Sequence, residues 1–423
     1  MKNARLLKGL VRSWAPTFAG LVILAVTSLA DAQTTLKVVA NRQPAVEYYA
    51  KVLGQAPGVK VEATLVPYDK SREITVLNLS TGSSSYDIVW GNDADIQDFA
   101  SKGWLEPLDS YMAKYTGQYH FEDFPASILK NLRYEGKVYA LPFYTNVMFF
   151  FYRKDLLDAK GVKPPQTFDE YLQAAKALTT KDQYGTTMCL KRVDAGLNEF
   201  HWYLNGHGGK WFDAKWKPLF NGPEGVKALE TLKEMMRYAP PGVTSYANDE
   251  CMVALQQDLV AMGFQWQSRA GAMDDPRSSK VVGKIEWAAP PSAGKGVPAG
   301  QRITTNSFAI SRFTRVDKDL IFRTMADASS REGMRGAAKF AMPTRAPVLT
   351  DPELVKQNRS WPAALAAIQV AQSYPLLPEF LETGEGITLK IQQALAGELT
   401  PKQALDQAAK DAEDLLKSRG YYK

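Results

Sequence analysis

Cysteine and histidine are scarce in this chain of 423 residues, which holds two of the first and three of the second. Cys189, Cys251, His120, His201 and His207 offer no zinc-ligand spacing. His201 and His207 lie six positions apart, so they do not share a helix face as an i, i+4 pair would. No metal site is expected, and the histidines read as surface or capping residues. The two thiols either pair in an oxidising compartment or sit apart as small buried apolar groups, and spacing leaves both open. Catalytic signatures are missing too. There is no Gly-x-Ser-x-Gly elbow. The stretch Gly206-His207-Gly208-Gly209-Lys210-Trp211 fails as a dinucleotide fingerprint, which needs glycine where Trp211 stands. It also fails as a P-loop, which needs glycine at Leu204 and Ser or Thr at Trp211, and a helix C-cap is the plain reading. Carboxylates are plentiful, but nothing picks out two of them as a glycosidase pair. The chain is expected to be no enzyme and to need no cofactor.

Long apolar runs are absent except for a short one at the start. Lys2, Arg5, Lys8 and Arg12 form a basic segment, and Phe18 to Leu29 is uncharged and mostly apolar. Ala30-Asp31-Ala32 then places small residues at both positions that a signal peptidase reads. The run is shorter than the ~20 apolar residues of a bilayer span. Residues 1–32 are therefore expected to be a cleaved signal peptide, with a periplasmic mature chain beginning at Gln33. No cysteine follows the cleavage motif and no twin arginine precedes the run, so neither a lipid anchor nor export in folded form is expected. Removing these thirty-two of 423 residues leaves 391, enough for two domains with separate cores. The leader carries a net +3 of the formal +6, and the remaining charge is dispersed, without the basic stripe of a nucleic-acid binder.

From Gln33 onward, strand and helix signals alternate, which predicts an α/β protein with mainly parallel sheets. Leu36 to Ala40 reads as a strand; Val46, Tyr49, Ala50 and Leu53 recur on one helical face; Val59 to Leu65 alternates with period two. Ile88-Val89-Trp90 reads as a third strand, ended by the turn Gly91-Asn92-Asp93. Thr167-Phe168-Asp169-Glu170 and Thr400-Pro401-Lys402-Gln403 are capping boxes, the second with proline where no N–H is needed. Between them, strands are predicted at Gly185–Leu190, Ala261–Trp266, Ile285–Ala288 and Ser307–Ser311, and helices near Leu197–Leu204 and Glu224–Met236. The Gly-, Pro- and Ala-rich stretch Pro290–Gln301 is the best candidate for a flexible connection.

Four stretches, in order along the chain, carry a resemblance. They are Tyr86-Asp87-Ile88-Val89-Trp90 with Gly103-Trp104-Leu105-Glu106-Pro107-Leu108; Gly136 to Phe143 with Phe151 to Leu157; Pro165 to Tyr171; and Asn205 to Gly209. Together they resemble the extracellular solute-binding proteins of sugar ABC transporters, the family that includes maltose-binding protein. The resemblance implies a two-lobed periplasmic binding protein fold of type II, with discontinuous lobes joined by hinge crossovers. The N-terminal lobe would hold 33–143 plus 309–352, and the C-terminal lobe 146–305 plus 353–423. It further implies a periplasmic substrate-binding protein that captures a carbohydrate (sugar, oligosaccharide, polyol or sugar acid) by hinge closure. The partners would be that ligand and the ABC transporter permease subunits of the inner membrane, with a monomeric receptor and no nucleic acid. Binding proteins for a polyamine or ferric iron share the fold and stay as alternatives, as does an exported carbohydrate-active enzyme.

Ligands in open α/β sheets bind beyond the carboxyl ends of strands. Planar polar side chains match vicinal hydroxyls, and aromatic faces cover the C–H patches of a sugar. The candidates are Arg42 and Gln43 after the first strand and Asn92 and Asp93 after the third. Tyr144 and Asn146 stand at the first crossover, and Asp194 follows the Cys189 strand. Gln265 and Trp266 end a later strand, Trp266 being the residue expected to stack, and Thr305 and Asn306 stand at the second crossover. Pro343-Thr344-Arg345 is similar to a family Pro-x-Arg segment, so Arg345 either holds the ligand or pins the hinge. Other members place a carboxylate where Asn146 stands, so a maltose-like ligand is not implied. Arg42, Arg269 and Arg345 leave an acidic sugar open.

Overall fold

The computed structural model describes residues 33–294 and 297–422. The signal-peptide expectation, and part of the Pro290–Gln301 stretch, lie outside the described residues.

The chain opens with β1 (Thr34–Asn41), α1 (Pro44–Leu53), β2 (Val59–Val66), α2 (Tyr68–Ser80), β3 (Ile88–Asn92) and α3 (Asp93–Ser101). β1 lies between β2 and β3 and is parallel to both. Pro44 sits in the first turn of α1, where its missing N–H costs nothing, and Ala45, Val46, Tyr49 and Leu53 are buried behind it. A small hairpin follows, β4 (Arg133–Tyr134) and β5 (Lys137–Val138). Its turn residues Glu135 and Gly136 both take positive φ, the geometry that two-residue hairpins demand.

The organising element is β6 (Leu141–Arg153), thirteen residues long and buried at every position. Beyond it come β7 (Met262–Trp266), β8 (Ile285–Ala288), β9 (Ile303–Ile310) and β10 (Met342–Pro343). The first part of β6 pairs antiparallel with β9 and β10, and β9 pairs antiparallel with β3. The second part pairs antiparallel with β7 and β8. One continuous strand thus belongs to both halves of the sheet, whose main path runs β10-β6-β9-β3-β1-β2. The expectation of mainly parallel sheets is corrected by this: among the named strands only the two pairings of β1 are parallel. A strand that crosses from one half to the other meets its returning partner head to tail, which forces antiparallel pairing. The expected strand Gly185–Leu190 also fails to form a continuous ladder. Within it Thr187 makes an isolated parallel bridge to Gly263, and Tyr184 just before it makes another to Val260.

Two large apolar clusters fill the halves. One gathers Val38, Tyr49, Phe143, Phe308 and Phe322; the other gathers Phe150, Tyr171, Trp202, Phe264 and Phe380. Both capping boxes form: Thr167 Oγ1 accepts from Glu170 N at 3.2 Å and Glu170 returns the bond at 3.1 Å, and Thr400 pairs with Gln403 likewise. Cys189 and Cys251 form a disulfide with Cα atoms 6.0 Å apart. Of the histidines, His120 and His207 occupy helix C-caps as expected, but His201 does not. It is 1 % exposed because it packs between Trp211 and Tyr374 inside the second cluster. No helix among the described residues is long and apolar enough to cross a membrane.

Candidate ligand site

Strand ends from both halves converge on a cavity of about 240 Å³. From the first half, Asn41 ends β1 and Gln43 follows it, Tyr68 and Asp69 begin α2, and Trp90 and Asn92 end β3. From the other side come Asn146 of β6, Lys191 to Ala195, Ala247 to Glu250, Trp266 of β7, and Ser268 and Arg269. Arg302, Thr304 and Asn306 complete the lining along β9 and its approach. Alternate residues of a strand face the same way, so these last three present one continuous polar edge.

Several of these side chains are held by other protein groups before any ligand arrives. Asn92 Oδ1 caps α3 by accepting from Ala94 N and Asp95 N at 3.0 and 3.2 Å, and its Nδ2 donates to the Tyr68 hydroxyl at 3.2 Å. Asn146 donates to Ser268 Oγ at 2.9 Å and accepts from Ser268 N at 3.1 Å. Asp194, the first residue of the helix Asp194–Gly206, accepts from Asn248 Nδ2 at 3.2 Å. It is presented by Val193, whose φ of 69° is a strained value for a β-branched residue. Across the cavity mouth, Lys191 Nζ reaches Asp69 at 2.6 Å, an ion pair between the halves with both partners about half exposed.

The floor is different. Arg302 is 1 % exposed, with its guanidinium 5.2 Å from the Trp266 ring centre and 3.5 Å from that of Tyr374. None of its three side-chain nitrogens has a hydrogen-bond partner among the described residues. The nearest carboxylate, Asp93, is 3.8 Å away and already accepts from Thr304 Oγ1 at 2.8 Å. Trp90 Nε1, Asn248 Oδ1 and Asn306 Nδ2 also lack partners while lining the cavity. A buried polar atom left unpaired costs about 1–3 kcal/mol, and more when charged. Such a set therefore favours a ligand that supplies the missing partners. Burial pushes the Asp93 and Asp194 carboxyls above the ordinary range, and the positive charge of Arg302 pulls both back down.

Of the residues singled out from sequence, Gln43, Asn92, Asn146, Asp194, Trp266 and Asn306 line the cavity. Six do not. Arg42 is exposed and donates to the Leu65 carbonyl at 2.7 and 3.1 Å, tying β1 to β2. Asp93 lies behind Arg302, and Tyr144 lies behind Gln43, whose amide donates to its hydroxyl. Gln265 points away from Trp266 by strand alternation and bonds Asn248 O at 3.0 Å. Thr305 is fully buried and has the wrong parity relative to Thr304 and Asn306. Arg345 is fully buried outside the cavity lining, stacked on Phe124 and bonded to Ser329 O, His120 O and Asp123 at 2.6, 2.7 and 3.2 Å. Sequence reading missed Arg302, Thr304, Tyr68 and Asn248. Stepping back by twos from Asn306 would have found the first two.

Among the described residues no group of three or more His, Cys, Asp or Glu side chains is placed to hold a metal ion. The lining carries four carboxylates (Asp69, Asp194, Asp249, Glu250) and four cations (Lys191, Arg192, Arg269, Arg302), a formal charge of zero. The arrangement suits a small, uncharged, polyhydroxylated or zwitterionic molecule.

Comparison with known proteins agrees with this architecture. Residues 30–314 match the model of the bacterial extracellular solute-binding protein family. A probable amino-acid ABC transporter periplasmic-binding protein, y4oP, from Sinorhizobium fredii is 27 % identical over 87 % of this chain and 85 % of its own length. The mannitol-binding protein of Pseudomonas aeruginosa is 25 % identical over 95 % and 97 %. A solved ABC transporter solute-binding protein from Agrobacterium radiobacter K84, in complex with ribitol, superposes with a TM-score of 0.83 at 26 % identity, covering 90 % of this chain and 98 % of that one. The family is one of binding proteins and not of catalysts. With its two α/β halves sharing β6 and a polar cavity between them, the chain belongs to the bacterial extracellular solute-binding proteins.

Proposed function

We infer that this protein is the periplasmic ligand-capturing component of an ABC importer and that its ligand is a neutral polyhydroxy compound of monosaccharide or alditol size. The single observation that carries the reading is the lining. Amides and two tryptophans surround a cavity of about 240 Å³ whose formal charge sums to zero. Ligand sites commonly span roughly 300–1,000 Å³, so this volume favours one sugar unit over an oligosaccharide. Relatives named or solved with mannitol and ribitol support the same class. A polyamine would call for an excess of carboxylates and ferric iron for clustered tyrosines, whereas Tyr68 is the one tyrosine in the lining.

The lobes 33–143 plus 309–352 and 146–305 plus 353–423 would close over the ligand by bending where β6 and β9 cross between them. Closure is favoured because only the closed form lets both lobes touch the ligand. The closed, monomeric receptor would then dock on the permease subunits of the inner membrane. An amino-acid ligand is the second reading, supported by the name of one relative and by Asp194 and Arg302 together in the site. Isothermal titration against D-mannitol, ribitol, hexoses, maltotriose and the common amino acids tests it. Binding of an alditol or monosaccharide is the expected result. Binding of an amino acid, with no polyol or sugar bound, would sink the reading.

A further inference from the structure

Arg302 is the one cavity side chain that is both charged and left wholly without hydrogen bonds while 1 % exposed. Its guanidinium packs against the rings of Trp266 and Tyr374, 5.2 and 3.5 Å from their centres, and is held away from water. Gly300 fixes the chain leading into it: a Cβ there would overlap the Trp202 carbonyl and stand 2.7 Å from Gly206 N, in the helix that carries Asp194. The five N–H donors of this fork are therefore oriented before ligand arrives. Two carboxylates accompany it. Asp93 sits behind the guanidinium at 3.8 Å, too far for a hydrogen bond, and keeps Oδ2 unpartnered. Asp194 stands in the cavity wall, where the positive charge of Arg302 pulls its carboxyl back down against the effect of burial.

One buried positive charge is thus offset by two buried negative ones. A ligand carboxylate can only accept hydrogen bonds, so it would satisfy Arg302 while facing Asp194 as a like charge with nothing to donate. A hydroxyl both donates and accepts. Two neighbouring hydroxyls can take the guanidinium N–H groups and turn their own protons toward Asp194 and the amide oxygens.

We propose that Arg302 sets the charge class of the ligand, donating to a vicinal diol of a neutral polyol, and that Asp93, by offsetting its charge from behind, keeps sugar acids out. The proposal rests on the polyhydroxy reading above and adds to it a named reader and a named filter.

The test is calorimetric titration of the purified protein and three variants with alditols (D-mannitol, ribitol) and the matching aldonates, each variant first checked for an intact thermal transition without ligand. For the wild type, the bound alditol is expected to exceed its aldonate by roughly 100-fold in affinity, since a site built for hydroxyls leaves polar groups unpaired with the wrong ligand. Arg302→Gln is expected to lose roughly 100-fold in alditol affinity, and Arg302→Lys at least about 10-fold, because an ammonium keeps the charge and not the fork. Asp93→Asn, which keeps shape and removes one negative charge, is expected to narrow the alditol-to-aldonate ratio by about 10-fold through the aldonate arm. An Arg302→Gln protein that binds the alditol within a few-fold of wild type overturns the role of Arg302. An unchanged ratio in Asp93→Asn overturns the filter. A wild-type protein that binds no alditol or monosaccharide at all overturns the underlying reading as well, so the two failures are told apart by the wild-type arm.

Discussion

Two buried titratable side chains two residues apart on one helix set opposing pH dependences. Burial pushes the Glu199 carboxyl up to about 8, against the pull of the Cys189 N–H that it accepts. Burial, helped by the charge of Arg302, pushes His201 down to about 3, and its Nδ1 accepts from Trp211 Nε1 at 2.9 Å, a bond that only the neutral ring allows. Ordinary values are about 4.3 and 6.5. Glu199 folds protonated, so its contribution is fully present below about 4.3 and is lost as pH rises through about 8. His201 folds neutral, so its contribution is fully present above about 6.5 and is lost as pH falls toward about 3. The two slopes cancel between about 4.3 and 6.5, and above that Glu199 acts alone. Denaturant titrations should therefore show wild-type stability falling from pH 6.5 to 8 relative to Glu199→Gln, a variant that removes the ionisation; parallel curves would refute it. At this same scale lies the main gap between sequence and site. Strand ends were legible from turn residues, which placed Asn92 and Trp266 in the cavity, and the crossover placed Asn306 there, but the face of a strand was not legible. Thr305 and Gln265 were each chosen one residue out of phase. Arg345 stays open between two roles in the sequence for another reason: a buried arginine in a core and one in a cleft have the same neighbours in sequence, and only the fold separates them.

Elements hold the cavity walls at fixed distances. The Cys189–Cys251 disulfide joins the segment that leads to Lys191 and Asp194 to the helix Asn248–Gln256, whose first turn supplies Asn248, Asp249 and Glu250. Closing a loop of 62 residues is worth up to about 4 kcal/mol in the chain-entropy account. Replacing both cysteines by alanine should lower unfolding free energy by about 2–4 kcal/mol and weaken ligand binding, read by denaturant midpoint and calorimetry on the same preparation. An unchanged midpoint would contradict it. The capping boxes at Thr167 and Thr400 were legible because their chemistry is local. Gly185–Leu190 was not, because its apolar pattern is satisfied by packing under Tyr171 and Gly263 without a full ladder. The length of β6 was hidden as well, since a strand buried throughout shows no alternation to count.

For the molecule as a whole, the alternation of strands and helices disclosed the α/β class, whereas the antiparallel character of the sheet depended on which distant strands meet. Lys191 and Asp69 form an exposed latch between the halves, 2.6 Å apart. Exposed pairs contribute about 0.2–1 kcal/mol and weaken with salt. Lys191→Met should therefore shift the open–closed balance by no more than about five-fold, seen as a larger radius of gyration without ligand by small-angle scattering. Raising salt should shift the wild type the same way and leave the variant unmoved; a variant as salt-sensitive as wild type would exclude the latch. The shared strand β6 has a consequence in time as well as in space. Thr145 finds its partner Thr304 only 159 residues later, and β7 and β8 also lie far downstream. Contacts this distant form slowly, because the intervening chain must be ordered before they are gained. While the ribosome is still making the first half, neither half of the sheet can be completed. Until most of the chain exists the sheet stays unfinished, and an unfinished fold is the state in which a polypeptide can be passed end-first through a narrow pore.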